Sequence, residues 1–381
     1  MRFSLERRQG VIALSACGLI SAGAIAWNHQ NGPKRYQPRP LSQFLKQKNH
    51  NQCYARKRQS PYPVTDLHLH SQPFGGGSIA YEELADYLKK LEIRFALLYG
   101  IGQTLPYNSD CTYYLDCPGT QVQPSIKNDF ENVANFIEYP QDELDIRLSM
   151  AFPDLANPEN IVQNIKILDK EYPKLFQWMG EVNVVKKALA NNGVKSATKD
   201  DIKRWQPFMA LLQQRQIPIA LHHDLGVNAA PLKNIDLLKI ILDSYPNNKI
   251  IWMHAGVSRE LTMLNPDRHI EFISEFLKTY PNLSIDLSWS VLAEAYFNTP
   301  ERIEKYVNLI NQHPKRFLAG TDFVATRHKN FMRYKREFEL TSEIYKTINN
   351  QAFRHIVLGQ NYFDLMPGMS ERYEAPAICK R

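Results

Sequence analysis

The chain lacks several things that proteins of its length often carry. Its 381 residues include only five cysteines, and none stand at zinc-ribbon spacing, which excludes a cysteine-ligated structural zinc. After residue 27 no apolar run is long enough to span a bilayer. There is also no glycine-rich phosphate turn behind the first strand-like run. Gly75-Gly76-Gly77 begins five residues after His70 and has the wrong spacing, so it reads as a flexible loop, and a doubly wound nucleotide fold is disfavoured. The body of the chain has no excess of basic charge either. The net charge of +7 comes from residues 1–60, where eleven Lys or Arg face one acid, Glu6. Removing these from 46 basic and 39 acidic residues leaves 35 against 38, so residues 61–381 carry about −3. A nucleic-acid-binding reading would rest on the tail alone, and a basic tail suits anionic lipid equally well.

The N-terminus reads as a targeting segment. Residues 1–10 are polar with net positive charge, and residues 11–27 are apolar or small throughout. Ala24-Ile25-Ala26 fits the small-x-small pattern before a signal-peptidase cut. Arg7-Arg8 resembles a twin-arginine export signal. Leu14-Ser15-Ala16-Cys17 resembles a lipoprotein box behind a short apolar stretch, and an uncleaved anchor is the third form this segment could take. The expectation is export, to the periplasm or to the outer face of a membrane through residues 11–27. Residues 28–62, rich in Pro, Gln, Asn, Lys and Arg, read as a linker or strap. In an oxidising compartment the four later cysteines favour disulfides. A local Cys111–Cys117 bridge is sterically easy and would leave Cys53 with Cys379, although the other two pairings stay open.

From residue 63 to residue 381 the pattern is that of one catalytic domain. Eight strand-like runs are expected at 64–70, 94–100, 146–152, 176–182, 217–224, 249–254, 283–288 and 316–322. Helices are expected between them at 81–91, 127–138, 159–171, 200–214, 235–244, 267–279 and 301–311, several stopped by a proline. Strand and helix alternating eight times predict a (β/α)8 TIM barrel. Barrel enzymes place their chemistry at the C-terminal ends of the strands, and there this chain concentrates its ligand-type residues. Asp66, His68 and His70 share one strand face by parity. Glu181, His222, His254 and Asp322 end four later runs. Ala220 shares parity with His222, while Ile219 and Leu221 share it with His223, so His222 is expected to point inward and His223 outward. A carboxylate at Glu181 could bridge two metals. Arg259 and Arg327, a few residues past the last two tips, could bind a carboxylate or phosphate on a substrate. His269 and His355, in helix or connector positions, read as surface or structural.

The order His-x-His, Glu, His, His, Asp on this barrel pattern resembles the amidohydrolase superfamily, in particular its amidohydrolase-related TIM-barrel hydrolases. The resemblance covers about residues 64–365. It implies that His68, His70 and Asp322 hold the more buried metal and that His222 and His254 hold a second one, or orient water and substrate if only one is present. Many relatives use a carboxylated lysine at the fourth strand, where this chain has Glu181. The donor set suits Zn²⁺ best, with Mn²⁺, Fe²⁺ or Co²⁺ as alternatives. Metal-activated water with Asp322 as general base and acid would then cleave an amide, ester or lactone of a small molecule. Two other functions compete: a mononuclear zinc decarboxylase of the same superfamily, and a non-catalytic extracytoplasmic metal-binding protein.

Overall fold

The computed structural model describes Phe44, residues 53–369 and residues 373–380. The export segment and most of the expected linker lie outside the described residues. Among those described, no helix is long and apolar enough to cross a membrane.

One parallel sheet carries the fold. Its strands are β1 (Thr65–His70), β2 (Phe95–Tyr99), β3 (Asp145–Met150), β4 (Phe176–Val185), β5 (Ile219–His223), β6 (Ile250–Trp252), β7 (Leu283–Asp286), β8 (Phe317–Leu318) and β9 (Phe323–Val324). They pair in chain order from β1 to β8, and β9 pairs back onto β1. β8 and β9 are two halves of the expected eighth strand, interrupted at residues 319–322. Leu67 N–H donates to Ala319 O and Asp322 N–H to His68 O across that interruption, so the ring closes as a (β/α)8 barrel. Gly320 makes the approach possible. A Cβ there would lie 2.8 Å from both N and Cβ of His68, so only glycine lets the eighth strand come this close.

The helices follow from apolar spacing and end signals. In α7 (Pro266–Thr279) the Asn265 side chain accepts from Asp267 N and Arg268 N, Pro266 takes the first turn, and Phe272, Ile273, Phe276 and Leu277 are buried. Spacings of three and four residues place such side chains on one face, and burying each contributes on the order of 1.5–3 kcal/mol. Four helices stop where the sequence predicts, with C-caps at Tyr172, Tyr245, Tyr280 and His313 before prolines. The expected helix at 200–214 divides at Trp205 into α4 (Lys199–Arg204) and α5 (Gln206–Arg215). Pro207 in the first turn of α5 restarts the helix. An extra helix, α8 (Ser290–Tyr296), follows β7.

Above the barrel a second, smaller cluster packs Phe74, Ile101, Tyr114, Leu189 and Val324 with Tyr113 and Leu115. It gathers the loops after β1, β2, β4 and β9 into a roof. The roof carries the Cys111–Cys117 disulfide, and Cys53 is bonded to Cys379. Asn192 secures this loop by donating to the carbonyls of Tyr114, Cys117 and Thr120.

Closing a long loop removes more unfolded-chain entropy than closing a short one. Cys53 and Cys379 are 326 residues apart and Cys111 and Cys117 only six. Cys53→Ser should therefore cost about 4 kcal/mol and Cys111→Ser about 2 kcal/mol of stability. Denaturant melts of both variants would show the difference, and non-reducing peptide mapping would verify the pairings.

Candidate metal centre

The barrel mouth is built from strand ends whose residues turn inward. His68 and His70 lie on one face of β1, while Leu67 and Leu69 enter the surrounding core. β4 runs four residues past Glu181, and its pairing with β5 is irregular between Met179 and Val182. Such a bulge re-aims side chains beside a site, and it sets Glu181 against His222. His254 and Asp322 do not finish regular strands. They sit just beyond them with φ of 55° and 57°, and Ala255 and Trp289 also have positive φ. Left-handed backbone at non-glycine residues is costly and clusters at functional sites.

The donor atoms converge. His68 Nε2 lies 3.2 Å from His70 Nε2 and 3.4 Å from Asp322 Oδ1. His70 Nε2 lies 3.3 Å from Asp322 Oδ1 and 3.5 Å from Glu181 Oε2. Four ligands at about 2.0–2.1 Å around a tetrahedral ion stand about 3.3 Å from one another, so these separations fit a divalent metal. A second group adjoins the first. Glu181 Oε1 is 3.3 Å from His254 Nε2 and contacts His222 Nδ1. Glu181 thus offers one oxygen to each group, and Asp322 Oδ2 reaches to 4.0 Å from His254 Nε2.

Each imidazole is oriented by a partner on its other nitrogen, as metal-binding histidines usually are. His68 Nδ1 faces Asp286 Oδ2 at 3.1 Å, and His70 Nδ1 faces Gly100 O at 3.1 Å. His254 Nδ1 meets Ser288 Oγ at 3.1 Å, and His222 Nε2 meets Asp224 Oδ1 at 3.0 Å. Asp286, Ser288 and Asp224 are not among the sequence candidates, although Ser288 and Asp224 end the expected seventh and fifth strands. Asp286 and Ser288 share parity on the expected seventh strand, and that alternation was the available signal. Asp66 is not among the converging donors. Its buried carboxylate accepts from Thr321 N and Oγ1 and from Tyr334 O–H at 2.8–2.9 Å, fastening β1 to the turn that presents Asp322. Burial, opposed by those hydrogen bonds, raises its pKa to about 6.

The electrostatics suit a cation. Burial opposes ionisation of Glu181, but Lys186 and His222 hold it well below the usual carboxylate range. Asp322 is likewise lowered against burial by His68, His254 and His70. Burial disfavours the His70 imidazolium, yet hydrogen bonds that it donates to the Asp322 and Glu181 carboxylates push its pKa up to about 9. These acids attract a proton onto the imidazole, and a divalent ion would compete for the same position.

His223 points away from the centre. Its Nε2 bonds Asn234 O at 3.0 Å, and burial lowers its pKa to about 4. Over the donors lies a cavity of about 380 Å³, lined in part by Phe74, Tyr113, Trp289, Lys186, Arg259 and Lys329. Arg259 thus reaches the cavity. Arg327 does not: its N–H donates to Gly77 O, its stem packs on Gly77, and it lines a separate depression with Thr112 and Asp116. That backbone bond seats residue 327 beside the glycine loop, away from the converging donors. Lys186 escaped the sequence reading because β4 extends beyond its expected end. His269, read as surface or structural, is fully buried, with Nε2 2.9 Å from Ala255 O beside the left-handed turn at His254.

Residues 188–343 match the amidohydrolase family model, a span that includes His222, His254 and Asp322. Over those residues the chain is similar to the amidohydrolase family. No curated protein matches it. Among solved structures, an amidohydrolase from Burkholderia multivorans with bound zinc is 10% identical, with a TM-score of 0.50 over 79% of this chain and 98% of that one. Dihydroorotase from Campylobacter jejuni is 13% identical, with a TM-score of 0.46 over 80% and 82%. Dihydroorotase from Saccharomyces cerevisiae in complex with 5-fluoroorotic acid is 12% identical, with a TM-score of 0.46 over 77% and 83%. The likeness to the Burkholderia multivorans structure is one of fold.

His68→Ala or His70→Ala should empty the more buried donor group, while His223→Ala should keep its metal. Asp286→Ala should weaken metal affinity about 10–100-fold by freeing the His68 ring. Elemental analysis and chelator competition on the purified variants would measure both effects, and metal loss from His223→Ala would reverse the assignment of the adjacent histidines.

Proposed function

We propose that this protein is an exported hydrolase that uses two divalent ions to cleave an amide, ester or lactone in a small molecule. The Glu181 carboxylate supports this reading most directly, because its two oxygens face two different donor groups. His68, His70 and Asp322 would hold one ion, His222 and His254 the other, and Glu181 would join them. The oxygen and imidazole donors favour zinc. Bound there, the ions would lower the pKa of water toward neutrality and polarise the scissile carbonyl.

The remaining chemistry belongs to the chain. Asp322 lies at the cavity floor within reach of both donor groups. Ionised as it is, it can take the proton of the attacking water and return it to the leaving group. Asp286 and Ser288 keep His68 and His254 in the tautomer that leaves Nε2 free. Trp289 stands with its ring 5.0 Å from that of His254 and covers one side of the chamber. The two disulfides support an oxidising compartment, in keeping with the targeting features of residues 1–27.

Purified protein should contain close to two metal ions per chain, and metal removal should abolish hydrolysis across a panel of lactones, esters and cyclic amides. Asp322→Asn should lower kcat by at least 10²-fold, the lower range for loss of a positioned base. A single ion per chain, with CO₂ released from a carboxylated substrate, would instead establish the decarboxylase.

A further inference from the structure

Two features of the sequence take no part in the metal centre: the Gly75-Gly76-Gly77 run and the Cys111–Cys117 pair. The fold brings them together beside the cavity. Gly75 and Gly76 lie against the disulfide loop with positive φ, and a Cβ on either would stand 2.9 Å from Thr112 O. Glycine lets the loop after β1 pass this close. Between the cysteines, Tyr114 is the anchor. It is fully buried, its N–H donates to Phe74 O at 2.9 Å, and its carbonyl accepts from Asn192. Its neighbours Tyr113 and Leu115 are only half-buried, and both line the cavity above the donor atoms. The Tyr113 ring stands edge-on to Phe74, 6.0 Å between centroids, and Phe74 is 6.3 Å from the ring of His70. An apolar wall thus runs from the disulfide loop down to the metal donors. Trp289, after β7, lines the same cavity. Its φ of 83° is strained for so large a side chain.

Charge around the cavity selects no ion, because acidic and basic side chains are equal in number on its walls. Lys186 is paired with Glu181, and Lys329 Nζ and Arg333 Nε share Glu337 Oε1 at 3.3 and 2.6 Å. The volume of about 380 Å³ falls within the roughly 300–1,000 Å³ of small-molecule pockets. It has room for a side group as well as for the bond that breaks.

We propose that the Cys111–Cys117 loop is the specificity element of this hydrolase, with Tyr113 and Leu115, together with Trp289, receiving an uncharged, flat apolar side group of the substrate. The proposal rests on the hydrolase reading and narrows its substrate class. Aromatic side chains combine a large apolar surface with a preference for packing against another ring. A side group held there, away from the reacting atoms, orients the scissile carbonyl over the metal donors. The disulfide keeps Tyr113 and Leu115 in position before the substrate arrives, which lowers the ordering cost of binding.

Hydrolysis by the zinc-loaded full chain tests this on matched pairs: γ-butyrolactone and its γ-phenyl derivative, methyl acetate and methyl phenylacetate, hydantoin and benzylhydantoin. In the pair that is cleaved, the aromatic member should show a kcat/KM at least about tenfold higher, the scale of one apolar group in a pocket. Tyr113→Ala and Leu115→Ala should each remove most of that preference, through KM and with zinc content kept, while Tyr113→Phe should retain it. Replacing Cys111 and Cys117 together by serine should also raise KM for the aromatic member. Replacing Cys53 and Cys379 together should keep the preference, although that bridge matters more to stability; general damage to the fold would give the opposite order. Calorimetric titration with phenylacetamide and acetamide separates the two readings. A chain that takes up no zinc and cleaves no pair defeats the hydrolase reading, and weaker phenylacetamide binding in Tyr113→Ala would still place the side group at the loop. The loop proposal is overturned if the aromatic member of a cleaved pair is not preferred, if Tyr113→Ala lowers both members alike, or if phenylacetamide binds Tyr113→Ala and the unaltered chain equally.

Discussion

The contact on which the barrel mouth depends is the Glu181 carboxylate, buried where two groups of imidazoles meet. One of its oxygens faces His222 and His254, the other His70 and Lys186. A buried carboxylate with no cation near it would be protonated or excluded. Here Lys186 and the imidazoles keep it ionised. Its position in turn requires β4 to bulge against β5, so a local irregularity of the sheet serves the charge arrangement. The same logic runs round the ring. Asp286 braces His68, Asp224 braces His222, and Asp66 ties the first strand to the eighth.

These fastenings explain why the strand ends are irregular. His254, Ala255, Trp289 and Asp322 occupy left-handed backbone, and each lies where a neighbouring element takes up a hydrogen bond. His254 N–H reaches Asp286, Ala255 O meets His269, and Asp322 N–H reaches the carbonyl of His68. A rigid sheet below and a hydrogen-bonded roof above hold the turns in these conformations. The roof has its own small core and its own disulfide, so the chamber walls can differ from those of relatives without disturbing the barrel.

Much of this was legible before any coordinates. Alternating apolar runs and proline stops mark eight strands and most of the helices, because burial on two faces imposes continuous apolar segments and amphipathic stripes. Parity on β1 places His68 and His70 together, and parity on β5 separates His222 from His223. What stayed hidden depends on elements far apart in sequence. Asp286 and Ser288 acquire meaning only when β7 lies beside β6 and across from β1. Lys186 comes into view only because β4 continues past Glu181. Arg327 and Arg259 look alike as loop cations, and only the fold places Arg259 at the cavity and Arg327 beside the glycine loop.

The sequence by itself determined the barrel, the residue types at its mouth and their chemical kind, because periodicity and strand parity are local properties. Only the tertiary structure decided which carboxylates converge with the imidazoles and which merely brace, how the two donor groups share Glu181, and that Lys329 and Arg333 divide one acid between them. Those outcomes follow from distances between segments up to 268 residues apart, and electrostatic interactions are governed by distance and burial, which no local pattern encodes.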